Sequence, residues 1–79
     1  MTSYTIRITP TAIADIKEGI EYYNSKAENL GYRFSDDVED TLELISRNPF
    51  AFAVRYKSVR GKMLNKFPFL VFYIISSAS

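Results

Sequence analysis

The spacing of apolar residues along the chain predicts a short strand followed by a helix. Tyr4, Ile6 and Ile8 alternate with polar residues, which is the period-two pattern of a half-buried strand. Thr9 and Pro10 then supply an N-cap side chain and a suitable first helical residue. One continuous helical stripe is predicted by the apolar residues that follow at spacings of three and four, namely Ile13, Ile16, Ile20, Tyr23 and Ala27.

A second helix is predicted from about Gly31 to Arg47. Asn29 and Gly31 favour a break before it, because both residue types tolerate the left-handed backbone conformation. Its apolar stripe consists of Phe34, Val38, Leu42 and Ile45, with Thr41 beside it. Pro49 ends the helix, since the residue before a proline avoids the α region. Two apolar stripes joined by a short loop predict an antiparallel helical hairpin.

After a connector from Phe50 to Val54, the apolar period changes to two. One face of the predicted strand carries Val59, Met63 and Phe67. The opposite face carries Arg60, Lys62 and Lys66. Pro68 interrupts this run, and the segment from Phe69 to Ile75 is then apolar throughout, as in a strand with covered faces or a central place in a sheet. The order β-α-α-β-β predicts a single α+β domain over residues 1–79, with the helical hairpin packed on a small, largely antiparallel sheet.

Only Ser76 to Ser79 follow this apolar segment, so the sequence leaves open what lies beside it. An apolar strand at a sheet edge tends to pair with another chain. Either the N-terminal strand covers the segment, or a second chain does, which would make a homodimer through an exposed C-terminal strand.

Composition excludes several kinds of chemistry. The 79 residues contain no cysteine and no histidine, which removes disulfides, thiolate metal sites, the commonest zinc ligand and the usual neutral-pH acid or base. We therefore expect no cofactor and no metal, and a core made by ordinary packing of the 47% hydrophobic residues. The N-terminus lacks the features of a signal peptide and the longest apolar run is too short to span a bilayer, so a cytoplasmic location away from the membrane is expected.

Charge is distributed unevenly along the chain. Through Val54 the chain carries five basic and nine acidic residues, a balance of −4, and from Arg55 onward it carries five basic residues and no acidic one. These five are Arg55, Lys57, Arg60, Lys62 and Lys66. Such asymmetry favours a surface that binds an acidic or polyanionic partner, although a merely solvated strand face is the alternative. The acidic cluster of Asp36, Asp37, Glu39, Asp40 and Glu43 is interpreted as a solvated helix face rather than a carboxylate site.

Several short segments follow one another in a characteristic order along the chain. In the helical hairpin they are Ala14-Asp15-Ile16, Tyr22-Tyr23, Gly31-Tyr32-Arg33-Phe34 and Asn48-Pro49. In the strand region they are Val54-Arg55-Tyr56, Val59-Arg60 and Lys66-Phe67-Pro68-Phe69 ahead of Phe72-Tyr73. Together these segments resemble the RelE/ParE toxin superfamily. The resemblance covers the chain from Tyr4 to about Ile75, and it depends on the order and spacing of the segments rather than on any one of them.

The resemblance implies the toxin of a type II toxin–antitoxin system, neutralised by an acidic antitoxin whose flexible segment wraps around it. The RelE-like branch of this superfamily cleaves messenger RNA on the ribosome, whereas the ParE-like branch poisons DNA gyrase and contributes to plasmid maintenance. The long helical hairpin and the stretch from Arg55 to Arg60 look closer to the ParE and plasmid-stabilisation branch. A RelE-like endoribonuclease and an unrelated small basic binding module remain the alternatives.

Cleavage of RNA requires proton transfer and a cation that stabilises the charge on phosphate. Arg60 and Tyr73 are the catalytic candidates for these roles, and without histidine they make an incomplete set, so a protein that binds rather than catalyses is expected. Members of the superfamily usually have tyrosine where this chain has Phe69, and they continue with another strand and a basic tail. Because the chain ends at Ser79, we expect weakened toxicity.

Overall fold

The computed structural model describes residues 4–77 and confirms the α+β class, with a helical hairpin on an antiparallel sheet. The elements in chain order are β1 (Tyr4–Ile8), α1 (Pro10–Lys26), α2 (Leu30–Arg47), β2 (Val54–Tyr56), β3 (Val59–Met63) and β4 (Leu70–Ser77). The short strand β2 falls at the end of the predicted connector. The predicted strand after it is shorter than expected, because β3 ends at Met63 and a loop over residues 64–69 follows.

The strands lie in the order β1-β4-β3-β2, and every neighbouring pair is antiparallel. The apolar strand β4 is therefore central: Ile75 pairs with Ile6 of β1, and Phe72 pairs with Gly61 of β3. Of the two predicted arrangements, the one in which the N-terminal strand covers β4 is correct. The premise of a homodimer through an exposed C-terminal strand is wrong, since both edges of β4 already have hydrogen-bonded neighbours.

Cross-strand pairing determines which side chains face the helices, because directly paired residues lie on the same face of a sheet. Val71 and Tyr73 of β4 are fully buried and belong to a core that also contains Phe34, Val38 and Ile45 of α2. We call the opposite side of the sheet the open face. Its apolar residues are Tyr56, Val59, Met63, Leu70, Phe72 and Ile74, and no helix in residues 4–77 packs against it.

Helix α1 begins as predicted. The Thr9 Oγ1 atom accepts a hydrogen bond of 3.1 Å from the backbone N–H of Ala12, which satisfies one of the free donors at the helix start. The predicted stripe is confirmed in the middle of the helix but not at its ends. In the first turn Ala12 faces the core and is buried, whereas Ile13 points outward and is 45% exposed. Ala27 is exposed and lies beyond the last helical residue.

Of the two residues predicted to break the chain between the helices, asparagine rather than glycine takes the left-handed conformation. Asn29 adopts the left-handed conformation with φ of 66°, whereas Gly31 lies inside α2 with ordinary helical geometry. Gly31 is required for a different reason: its N–H donates a 2.8 Å hydrogen bond to Oδ1 of Asn24, and a Cβ atom there would lie 2.4 Å from the Asn24 Cγ. The Asn24 side chain thereby caps the start of α2 from the end of α1.

Phe34 organises the aromatic part of the core. Its ring centroid lies 5.2 Å from that of Tyr23, 5.3 Å from Phe67 and 5.1 Å from Phe69, the last two in edge-to-face geometry. These contacts join both helices to the loop over residues 64–69. Phe67 lies in this loop rather than on the strand predicted for it, and its half-buried ring packs against the core.

Candidate binding surfaces

Arg60 points toward the helix side of the sheet, because it pairs directly with the buried Tyr73. Its Nη1 donates a 2.7 Å hydrogen bond to the carbonyl oxygen of Phe52 and a long one of 3.5 Å to that of Phe50. The guanidinium carbon also lies 5.2 Å from the centroid of the Phe50 ring. Arg60 therefore fastens the connector between α2 and β2 onto the sheet.

Tyr73, the other catalytic candidate, has no exposed surface. Its hydroxyl donates a 2.7 Å hydrogen bond to the carbonyl oxygen of Pro49. Burial raises the pKa of Tyr73 above its usual range, and the nearby positive charge of Arg60 opposes this with a smaller effect. The structure thus brings the two predicted catalytic residues together, but both are engaged with the connector and the phenol is closed to a substrate in this conformation.

Lys62 lies on the same side of the sheet as Arg60, since it pairs with Val71. Its Nζ atom is 5.6 Å from the Phe52 ring centroid and donates a 2.6 Å hydrogen bond to the carbonyl oxygen of Met63. A groove of about 280 Å³ opens beside Arg60, and Lys62 is not among its lining residues. It is lined by Tyr4, Phe50, Val54, Ser58, Arg60 and Ile75.

Lys66 lies in the loop after β3, away from the strand face on which it was predicted. Its backbone N–H donates a 2.8 Å hydrogen bond to Oδ2 of Asp37, and that of Asn65 donates a weak one of 3.4 Å to Oδ1. Asp37 is only 4% exposed, so its assignment to the solvated acidic face is wrong. It lies one helical turn before the buried Thr41, and its carboxylate holds the loop against α2.

A cleft of about 410 Å³ separates α2 from this loop. It is lined by Leu30, Arg33, Asp36, Asp37, Asp40, Lys66 and Phe67. The other members of the acidic cluster are exposed, as predicted: Asp36, Glu39, Asp40 and Glu43. The cleft is mixed in charge, and Lys66 contributes to it rather than to a basic surface on the sheet.

The two remaining basic residues of the predicted surface belong to β2 and its turn. The side chain of Arg55 lies over the open face. Gly61 pairs with Phe72, so a Cβ atom added to Gly61 would point to this face, where it would lie 3.0 Å from the Arg55 Cγ. Lys57 is in the turn between β2 and β3 and has a φ of 48°. The five basic residues predicted to form one binding surface are therefore divided between the connector, the open face, a turn and the loop after β3.

Arg7 is a residue of the open face that the sequence interpretation did not select. It is exposed and pairs with Ile74 across β1 and β4, so it flanks the apolar residues on the side opposite to Arg55. Its alternation with Ile6 and Ile8 was the available signal, since this pattern assigns it to the face of the strand that does not contact the core.

Charge is separated between the two layers of the fold. All nine acidic residues lie in the helical hairpin, which also carries four basic residues and therefore has a net charge of −5. The strands and their connecting loops carry six basic residues and no acidic one. These six are Arg7, Arg55, Lys57, Arg60, Lys62 and Lys66. The helical hairpin therefore has a net negative charge and the strands with their loops a net positive one, of which the exposed Arg7, Arg55 and Lys57 lie away from the helices.

Within residues 4–77, no group of three or more histidine, cysteine, aspartate or glutamate residues could hold a metal ion. Neither helix of this described part of the chain is long and apolar enough to cross a membrane. Comparisons with protein-family models, with curated proteins and with solved structures find no match to the chain.

Proposed function

We propose that this protein is the toxin component of a type II toxin–antitoxin system of the ParE-like, plasmid-stabilisation kind. In this proposal it acts in the cytoplasm by binding DNA gyrase and is neutralised by an acidic antitoxin. The observation that carries the proposal is the separation of charge along the fold, because strands and connecting loops with six basic residues and no acidic one suit binding to an acidic partner. The segments that resemble the RelE/ParE superfamily support it.

A binding mechanism is favoured over RNA cleavage by the contacts of the two catalytic candidates. Arg60 donates its hydrogen bonds to the connector, and Tyr73 is buried with its hydroxyl on the Pro49 carbonyl oxygen. A general acid or base must reach the proton that it transfers, and the buried Tyr73 hydroxyl is not placed to do so. The Arg60 guanidinium, the candidate for stabilising phosphate charge, is engaged with the connector instead. A RelE-like ribonuclease is accordingly the second candidate, and an unrelated basic binding module is the third.

Inducible expression of the chain in a bacterial host, without an antitoxin, tests the proposal. We expect growth arrest accompanied by a DNA-damage response while translation continues, because a gyrase poison leaves broken DNA. Arrest with cleaved transcripts would support the ribonuclease instead. Normal growth with the folded protein present in the cells would contradict a toxin and leave the basic binding module.

Charge-reversal variants of the two layers test which surface causes the growth arrest, which we call the effector surface. Arg55→Glu combined with Lys57→Glu reverses two exposed charges on the sheet side, and we expect this variant to restore growth. Lys17→Glu combined with Lys26→Glu makes the same change of charge on exposed positions of α1 and should leave the arrest intact. Immunoblots at equal induction would check that all proteins accumulate equally. Equal arrest by both variants would contradict an effector role for the basic sheet side.

A further inference from the structure

The open face combines an apolar centre with basic flanks. Leu70, Phe72 and Ile74 of β4 run along its middle as half-buried side chains, while Met63 is 44% exposed and Tyr56 is 58% exposed. Apolar side chains that share a sheet face not covered by a helix favour an interaction surface there, because burying them would remove apolar area from water.

Arg7 carries positive charge at the β1 edge of the open face, and the Arg55 side chain extends from β2 over Gly61 of β3. Within residues 4–77 the one ion pair joins Arg47 to Glu43 on α2, so neither flanking guanidinium is neutralised by a carboxylate there. The four strands in the described part of the chain contain no acidic residue. An apolar strip between two cations is complementary to a helix whose apolar stripe is bordered by carboxylates.

The dimensions of the open face suit one helix. Strands spaced about 4.8 Å apart place the two outer strands of a four-stranded sheet roughly 14 Å from each other. A helix is about 10 Å across with its side chains, so one helix over β3 and β4 would cover the apolar strip and bring its flanks near β1 and β2. Gly61 has no side chain in the middle of this area, and the Arg55 stem, Leu70 and Phe72 close over it.

Two other occupants fit the open face less well. A second copy placed face to face would bring the Arg7 and Arg55 charges of both molecules together. The acidic helices of a second copy have their apolar stripes packed in their own core, so they offer no stripe to this surface. The phosphates of a nucleic acid would pair with the arginines. A nucleic acid would nevertheless leave the apolar centre of Leu70, Ile74 and Met63 without an apolar partner.

We propose that the open face binds an acidic amphipathic helix of a partner protein, with the helix stripe over Leu70, Phe72 and Ile74 and its carboxylates toward Arg7 and Arg55. This inference rests on the proposed function, in which such a helix belongs to the antitoxin. The antitoxin surface in this proposal is the open face, and it does not include Arg60, Lys62 and Lys66, which face the connector and the cleft.

A designed peptide tests this surface directly. The probe is a fluorescein-labelled peptide of about 18 residues, with leucine at helical spacing and glutamate elsewhere, titrated with the whole purified chain and followed by anisotropy. We expect saturable binding at least about tenfold tighter than that of a scrambled peptide or of one with lysine in place of glutamate. Binding should weaken several-fold as salt rises from about 0.1 to 0.5 M, because the flanking contacts are charge pairs.

Matched variants locate the binding. Met63→Glu and Arg7→Glu change exposed positions of the open face, and each should weaken peptide binding by about tenfold. Leu44→Glu and Lys17→Glu make the same kinds of change on the helical hairpin, where Leu44 is 39% exposed, and should leave binding within about twofold of the unmodified chain. Circular dichroism would show that each variant is folded.

Four results would overturn the docking proposal. The first is equally tight binding of the scrambled peptide, and the second is loss of binding in Leu44→Glu but not in the open-face variants. The third is a dimer of the chain that Met63→Glu dissociates. The fourth is binding of a single-stranded oligonucleotide that is tighter than peptide binding and depends on Arg7. Growth arrest is measured separately. Arrest without peptide binding would contradict the docking surface alone, and peptide binding without arrest would contradict the toxin function alone.

Discussion

Replacing Asp37 with asparagine should destabilise the fold although it preserves the size and shape of the side chain. The carboxylate accepts hydrogen bonds from the backbone N–H groups of Asn65 and Lys66 and is almost completely buried. These contacts attach the loop over residues 64–69 to α2, and the same loop carries Phe67 and Phe69 to the Phe34 ring. Asp37→Asn therefore weakens the attachment of a loop that completes the aromatic core.

The magnitude follows from the two hydrogen bonds. A hydrogen bond to an ionised acceptor contributes about 1.5–3 kcal/mol, against about 1 kcal/mol for a neutral one. The 2.8 Å bond from Lys66 would be reduced to the neutral value, and the new amide NH₂ would face the N–H of Asn65, so that two donors oppose each other. We expect a loss of about 2 kcal/mol in the free energy of unfolding, or roughly 10 °C in Tm for a domain of this size.

Urea denaturation followed by circular dichroism measures this change. Asp36→Asn is the matched control, because Asp36 is the exposed neighbour on the same helix and its replacement should change stability by less than about 0.5 kcal/mol. If Asp37→Asn is as stable as Asp36→Asn, the carboxylate does not hold the loop and the reasoning is refuted.

Three further changes test the interior. Tyr73→Phe should cost about 1–2 kcal/mol in urea denaturation, because it leaves the connector carbonyl without its donor. Burial raises the pKa of Tyr73, so the buried neutral phenol contributes its full share of the free energy of unfolding below the unfolded pKa of about 10. This contribution is lost as pH rises through the folded pKa. Tyr73→Phe should not show that loss when the free energy of unfolding is measured at increasing high pH. Gly19→Ala should lower Tm despite a helix-propensity gain of about 1 kcal/mol, because its Cβ would lie 2.7 Å from the buried Phe34 ring; a higher Tm would show that the ring moves freely. Thr41→Val should raise the free energy of unfolding by about 1 kcal/mol, since the buried Thr41 hydroxyl has no hydrogen-bond partner within residues 4–77; a lower value would reveal such a partner.

The layered distribution of charge connects the fold to the proposed function. The helical hairpin covers one face of the sheet and carries every acidic residue, so the other face is left apolar at its centre and basic at its flanks. A partner that covers this face would therefore meet apolar contacts and positive charge together. Arg60 and Tyr73 have a different role, because their hydrogen bonds hold the connector that closes the end of the core.

Local sequence was sufficient for the type and order of the main elements. The stripe of Phe34, Val38 and Ile45, the cap from Thr9 and the alternation of Tyr4, Ile6 and Ile8 all depend on residues close together in the chain. The uniform apolarity of β4 also predicted a central position in the sheet. The sequence left open whether β1 or a second chain would be its neighbour.

The tertiary structure decided the roles of individual polar residues. Asp37 looked like one more carboxylate of an exposed cluster until its contact with Lys66, 29 residues later, showed that it is buried. Arg60 looked free for a partner until the connector supplied two carbonyl oxygens, and the open face became visible only when pairing across the sheet separated Arg55 from Arg60. Periodicity reports which residues are apolar and how they repeat, but burial of a charge and membership of a surface depend on contacts between distant segments, which no local pattern contains.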